Sequence, residues 1–165
     1  NNAQCRPIFS DAAAATLISS SKKNEIGPFH LGTDGSGHNA LELPQGKHEV
    51  VMNGSKVLTF AMNIVPENVR NLLKKIKIKV SNVDMFIFHQ ASQFILDNIN
   101  RKLQIPKNKT FENISKVGNT ISASIPIALK DASKKHIKNN SKVILAGYGV
   151  GLSWGSVLVK WKKIK

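Results

Sequence analysis

Three short stretches of the chain carry side chains able to do chemistry. In Phe88-His-Gln-Ala-Ser92, His89 directly follows a compact apolar run, Val83 to Phe88, and stands at the mouth of the next helix. That run is apolar on both faces, as buried parallel strands are. Ligands of α/β sheets collect at the carboxyl ends of strands, so an imidazole there is a candidate acid, base or hydrogen-bond donor. A histidine that caps the strand for structural reasons is the alternative. In Lys116-Val-Gly-Asn-Thr120, Asn119 stands just ahead of a helical pattern. An asparagine there either caps the helix or turns its amide to a ligand. Gly147-Tyr-Gly-Val-Gly151 joins two strand-like runs. Its glycines permit close approach of backbone to a ligand, and exposed N–H groups there could form an oxyanion hole; the plain reading is a tight hairpin. The G-x-G-x-x-G spacing is missing and no helix follows, which argues against a dinucleotide site.

The other reactive side chains form no comparable group. His30, His38 and His48 lie among polar residues with Asp34 and Glu49 at no metal-ligand spacing, and His136 belongs to a lysine-rich helix end. The single cysteine, Cys5, cannot make an internal disulfide or a cysteine-cluster zinc site. No metal is expected.

These residues need elements to hold them. Ala12 to Ser19 suits a helix by its alanines or a tightly packed strand by Thr16, Leu17 and Ile18. Phe29 to Asp34 reads as a short strand ended by Gly35-Ser-Gly37, and Leu41 to Glu49 as an irregular excursion. Asn53 is a helix cap, with Val57, Leu58, Ala61, Ile64 and Val65 at helical spacing behind it. Pro66 then either opens a new turn or kinks one long helix whose stripe resumes at Val69, Leu72, Leu73 and Ile76. Further helices are expected from Ala91 to Leu103 and from Thr120 to Lys134, and strands at Lys142–Gly147 and Ser153–Trp161. Such alternation implies a mixed α/β layer structure.

The chain has 165 residues, 41% of them apolar, which suits one globular domain spanning 1–165. Its longest apolar runs cannot span a bilayer, and no signal segment opens it, so a cytoplasmic location is expected and a membrane is not. A net charge of +14 raises nucleic acid or an acidic surface as a partner. Only Arg6, Arg70 and Arg101 are arginines, and the lysines are scattered, which favours an acidic carrier protein or phosphorylated ligand over nucleic acid.

Taken together, the three stretches resemble the C-terminal half of the β-ketoacyl-ACP synthase III family, of the thiolase fold. His89-Gln-Ala91, Gly118-Asn-Thr120 and Gly147-Tyr-Gly-Val-Gly-Leu-Ser-Trp-Gly-Ser156 stand in that family's order. Ile8-Phe-Ser-Asp-Ala-Ala-Ala14 is similar to the family's Phe-Gly-Asp-Gly-Ala-Gly-Ala entry, Phe29 to Gly37 to its His-x-x-Ser-Asp-Gly segment, and Met52-Asn-Gly54 to its Met-x-Gly helix start.

The resemblance implies a five-stranded mixed sheet covered by helices, forming one half of a thiolase-like fold. It implies an acyltransferase that joins an acyl-CoA-derived group to malonyl-ACP by decarboxylative Claisen condensation. His89 and Asn119 would be the histidine and asparagine of the malonyl site, and the Val150 backbone N–H an oxyanion-hole donor. Gly54, Leu58 and Ser92 would line the pantetheine tunnel, and Arg101 and Lys102 would meet the carrier protein. No cofactor is implied beyond the substrates acyl-CoA and malonyl-ACP. The family's nucleophilic cysteine belongs to its N-terminal half, and Cys5, just ahead of a strand-like segment, does not match it. A missing N-terminal half, with homodimerisation of the complete protein and no activity in this half alone, is therefore expected. Ser92 replaces an asparagine and Phe94 a basic residue of the usual pattern, which opens the choice of acyl group and carrier. Acyl transfer to a hydroxyl or amine without decarboxylation, and a non-catalytic carrier-binding module, are the alternatives.

Overall fold

The computed structural model describes residues 7–20 and 25–162. Strand β1 (Ile26–Thr33) runs through a 3-10 turn at Gly35–Ala40 into a small ribbon of β2 (Leu41–Glu42) and β3 (Val51–Met52). Helix α1 (Gly54–Lys75) follows, then β4 (Met85–Phe88), α2 (Gln93–Leu103), the single turn α3 (Ile114–Val117) and α4 (Ser124–Lys135). A hairpin of β5 (Lys142–Gly149) and β6 (Ser153–Lys160) closes the order. The main sheet is ordered β1-β6-β5-β4, with β4 parallel to β5 and the other two pairs antiparallel.

Local chemistry sets the helix boundaries. The Asn53 side chain accepts the Lys56 N–H at 3.1 Å and so caps α1, while Lys74 and Lys75 meet the negative end of its dipole. Ser92 Oγ accepts the Ile95 N–H at 3.3 Å and caps α2 in the same way. Pro66 neither breaks α1 nor starts a new helix; the helix runs through it.

Strand β4 is buried on both faces and sorts the core into two layers. Phe86 and Phe88 point to α1 and α2, where Val65, Val69, Leu72, Leu96 and Ile99 cover them. Met85 and Ile87 point to α4, where Ala128 and Ala132, both fully buried, let the helix approach closely. Among the described residues no helix is long and apolar enough to cross a membrane.

The strand count differs from expectation. The main sheet has four strands among the described residues, where five were expected. Residues 11–20 form neither strand nor helix: the segment is exposed along its length, with Leu17 96% and Ile18 71% accessible. Ahead of it, the Phe9 backbone forms an isolated bridge to Asn119. A single extra rung lies at the other edge, where Thr110 bridges to Phe86 and the Phe111 N–H donates to the Phe86 carbonyl at 3.2 Å.

Candidate active site

His89, Asn119 and Val150 meet on the wall of one apolar cavity of about 600 Å³. Three different segments bring them there: the end of β4, the turn before α4, and the tip of the β5–β6 hairpin. Leu41, Met52, Val57, Leu58, Phe60 and Ile95 supply much of the apolar wall. Such a lining with a few polar groups suits a largely apolar ligand with a polar end.

Asn119 is 5% exposed, and its amide has a fixed orientation. The Ile121 N–H donates to its Oδ1 at 2.9 Å, which holds the turn, but Asn119 is not the helix cap the sequence suggests: Thr120 precedes the 3-10 turn Ile121–Ala123, and Ala123 precedes α4. Among the described residues its NH2 group has only a long contact, 3.5 Å, to the Ala91 carbonyl. Holding the turn and offering a donor therefore belong to opposite ends of one side chain. A backbone strap fixes the residue: Asn119 N–H donates to Ile8 O at 3.2 Å and Ser10 N–H to Asn119 O at 2.9 Å. Gly118 is required beside that strap, because its φ is +68° and a Cβ there would collide with Ser10 Oγ.

His89 is largely buried, and its ring stands edge-on to Tyr148 with centroids 5.3 Å apart. Burial pushes its pKa down to about 4, opposed in part by the Ile121 backbone. The imidazole is therefore neutral near pH 7, a hydrogen-bond donor or base and not a cation. Ser124 Oγ lies 2.7 Å from its Nδ1. Tyr148 also packs on Phe60, its phenol pKa is pushed up by burial, and its hydroxyl is buried without a hydrogen-bond partner among the described residues.

The glycine-rich segment forms the hairpin expected of it, with Gly149 paired to Ser153. Asp34 pins the turn at Leu152 from both sides, with N–H···O distances of 2.8 and 3.0 Å. Gly151 has a φ of +142° and a Cβ there would meet Ser153. Val150 lies 63% exposed and lines the cavity.

Gly54, Leu58 and Ser92 all line the cavity, as does Phe94, which is 60% exposed. Arg101 and Lys102 do not; they lie at the exposed end of α2. Arg101 reaches Asn98 Oδ1 at 2.5 Å, and Lys102 Nζ reaches Met62 O and Asn63 Oδ1 at 2.9 and 3.0 Å. Cys5 falls outside the described residues. His30 is held by Asn68 Nδ2 at 2.8 Å and His38 by the Gly35 carbonyl at 3.2 Å. Sequence reasoning missed Ser124, Phe60 and the Ile8–Ser10 strap as parts of the site. Each meets it through a contact between distant segments, for which a single sequence carries no signal.

Residues 73–161 match the family model described as 3-oxoacyl-[acyl-carrier-protein (ACP)] synthase III C terminal. The chain is 40% identical over 172 aligned positions to the β-ketoacyl-[acyl-carrier-protein] synthase III of Porphyra umbilicalis, covering 94% of this chain and 53% of that protein. Among solved structures, the 3-oxoacyl-[acyl-carrier-protein] synthase III of Aquifex aeolicus superposes with a TM-score of 0.81 at 34% identity, over 87% of this chain and 47% of the other. The Pseudomonas aeruginosa enzyme gives 0.79 at 33% identity, over 83% and 44%. The chain thus spans about half the length of the curated relatives it matches.

Proposed function

The chain belongs to the β-ketoacyl-ACP synthase III family, and on that premise we propose that it forms the malonyl-handling half of a decarboxylating condensing enzyme. A cysteine on the complementary half attacks the acyl-CoA thioester, expels free coenzyme A and holds the acyl group as a thioester. Malonyl-ACP delivers its pantetheine arm along Gly54, Leu58 and Ser92. The bond between the malonyl α-carbon and its carboxylate breaks, carbon dioxide leaves, and the electron pair becomes an enolate on the remaining thioester. The enolate carbon attacks the acyl-cysteine carbonyl, and the tetrahedral adduct collapses by expelling the cysteine thiolate. The products are β-ketoacyl-ACP, carbon dioxide and free enzyme.

The enolate oxygen is where negative charge grows, and it needs donors aimed at it in a dry site. A neutral His89 and the NH2 end of Asn119 supply two. One observation carries this reading: Ile121 engages the oxygen end of the Asn119 amide, leaving its NH2 end, among the described residues, with only a long 3.5 Å contact to the Ala91 carbonyl, on a residue that lines the cavity His89 shares. The Val150 N–H serves the acyl-cysteine carbonyl. Carrier-protein docking falls to Arg101 and Lys102, both exposed at the end of α2. The complementary half, acyl carrier protein and a second copy of the full protein are the partners, in the cytoplasm.

The test is Asn119→Ala in the full-length protein. Malonyl-ACP decarboxylation should fall by about 10²-fold while acylation of the cysteine is unchanged. Unimpaired decarboxylation would overturn the assignment. Absence of carbon dioxide release from the unaltered enzyme would favour direct acyl transfer with His89 as base.

A further inference from the structure

We propose that Ser124 is a positioning residue that holds His89 in the tautomer protonated on Nε2. The tautomer follows from hydrogen-bond counting alone; its value for catalysis rests on the reading of His89 as a donor to the enolate.

A serine hydroxyl offers one proton and two lone pairs. Ser124 is 1% exposed, at the first turn of α4, and its Oγ has two neighbours among the described residues. The Gln90 backbone N–H, 3.4 Å away, can only donate to it. His89 Nδ1, at 2.7 Å, is the other. Were Nδ1 protonated, both contacts would deliver protons to Oγ, and the hydroxyl proton would have no acceptor in a buried place, which is costly. The hydroxyl therefore donates to Nδ1, and the ring proton sits on Nε2.

Gln90 makes the arrangement rigid. It is wholly buried, its Nε2 donates to the Phe88 carbonyl at 2.8 Å, and its Oε1 accepts the Asn113 N–H at 3.2 Å. Its backbone N–H is thereby aimed, giving a directed chain from Gln90 N–H to Ser124 O–H to His89 Nδ1. The partner of the ring nitrogen fixes the proton on the other nitrogen.

The measurement is ¹⁵N NMR of the His89 imidazole in the full-length protein, alongside malonyl decarboxylation and cysteine acylation. The unaltered protein should show the Nε2–H tautomer, and Ser124→Ala should admit the Nδ1–H form. Decarboxylation should then drop by about tenfold or more with acylation unchanged, and Ser124→Thr, which keeps the hydroxyl, should restore much of both signals. An Nδ1–H ring in the unaltered protein overturns the proposal, whatever the variants do. A pure Nε2–H ring in Ser124→Ala overturns it as well. An Nε2–H ring that shifts in Ser124→Ala with no change in decarboxylation supports the tautomer and removes His89 from the chemistry, which separates the two claims.

Discussion

The Lys102 ammonium lies 2.9 Å from the Met62 carbonyl oxygen, the one that Pro66 deprives of its helical donor. Proline has no N–H, so the carbonyl four residues earlier loses its usual partner. Lys102, reaching from α2, supplies the missing donor and also holds Asn63. A residue that the family resemblance assigns to carrier docking is thus also a clasp between α1 and α2.

Lys102→Met should therefore destabilise the full-length protein by roughly 0.5–1 kcal/mol, with the loss smaller in a Pro66→Ala background, where the helix regains its own donor. Urea unfolding of the four proteins in a double-mutant cycle reads the coupling. Equal losses in both backgrounds would remove the clasp.

Asn119→Asp separates holding the turn from chemistry. The carboxylate still accepts the Ile121 N–H, so the turn and the fold should persist. The donor end is gone and a negative charge faces the developing enolate, so decarboxylation should fall at least as far as in Asn119→Ala, by about 10²-fold or more. Circular dichroism and carbon dioxide release together check this.

Gly118→Ala places a Cβ at a φ of +68° against Ser10. Strain of this kind costs about 1–3 kcal/mol, and the strap that holds Asn119 must move. Both stability and decarboxylation should drop, and amide exchange at Ser10 should speed up. An unchanged exchange rate would mean the strap is held elsewhere.

The pH response of His89 has a defined sign. Its folded pKa, about 4, lies below the ordinary 6.5, so between those values the unfolded chain binds more protons than the folded one. The stability linked to this group is full above about pH 6.5 and is lost as pH falls towards 4. Tyr148, the titratable group packed on its ring, stays neutral throughout because burial raises its pKa. An NMR titration of the His89 ring should give a midpoint near 4; a midpoint near 6.5 would show a solvated ring.

Much of this protein is legible residue by residue, because the controlling interactions are local. Asn53 caps α1 through a residue three positions on, and the unbroken apolar run at β4 needs both its faces covered. The glycines of 147–151 mark a hairpin, and the motif order around His89 and Asn119 points to the family before any coordinate is known. Other features depend on segments far apart in sequence. Ala12–Ser19 suits a helix or a strand by its residues and forms neither, while the bridge just ahead of it joins Phe9 to Asn119, far along the chain. Which end of the Asn119 amide can donate depends on the Ile121 N–H, and which nitrogen of His89 holds a proton depends on Ser124, 35 residues away. Residue types and spacing decide what chemistry is available. The direction in which each polar atom points is set by hydrogen bonds that exist only once distant segments are packed together.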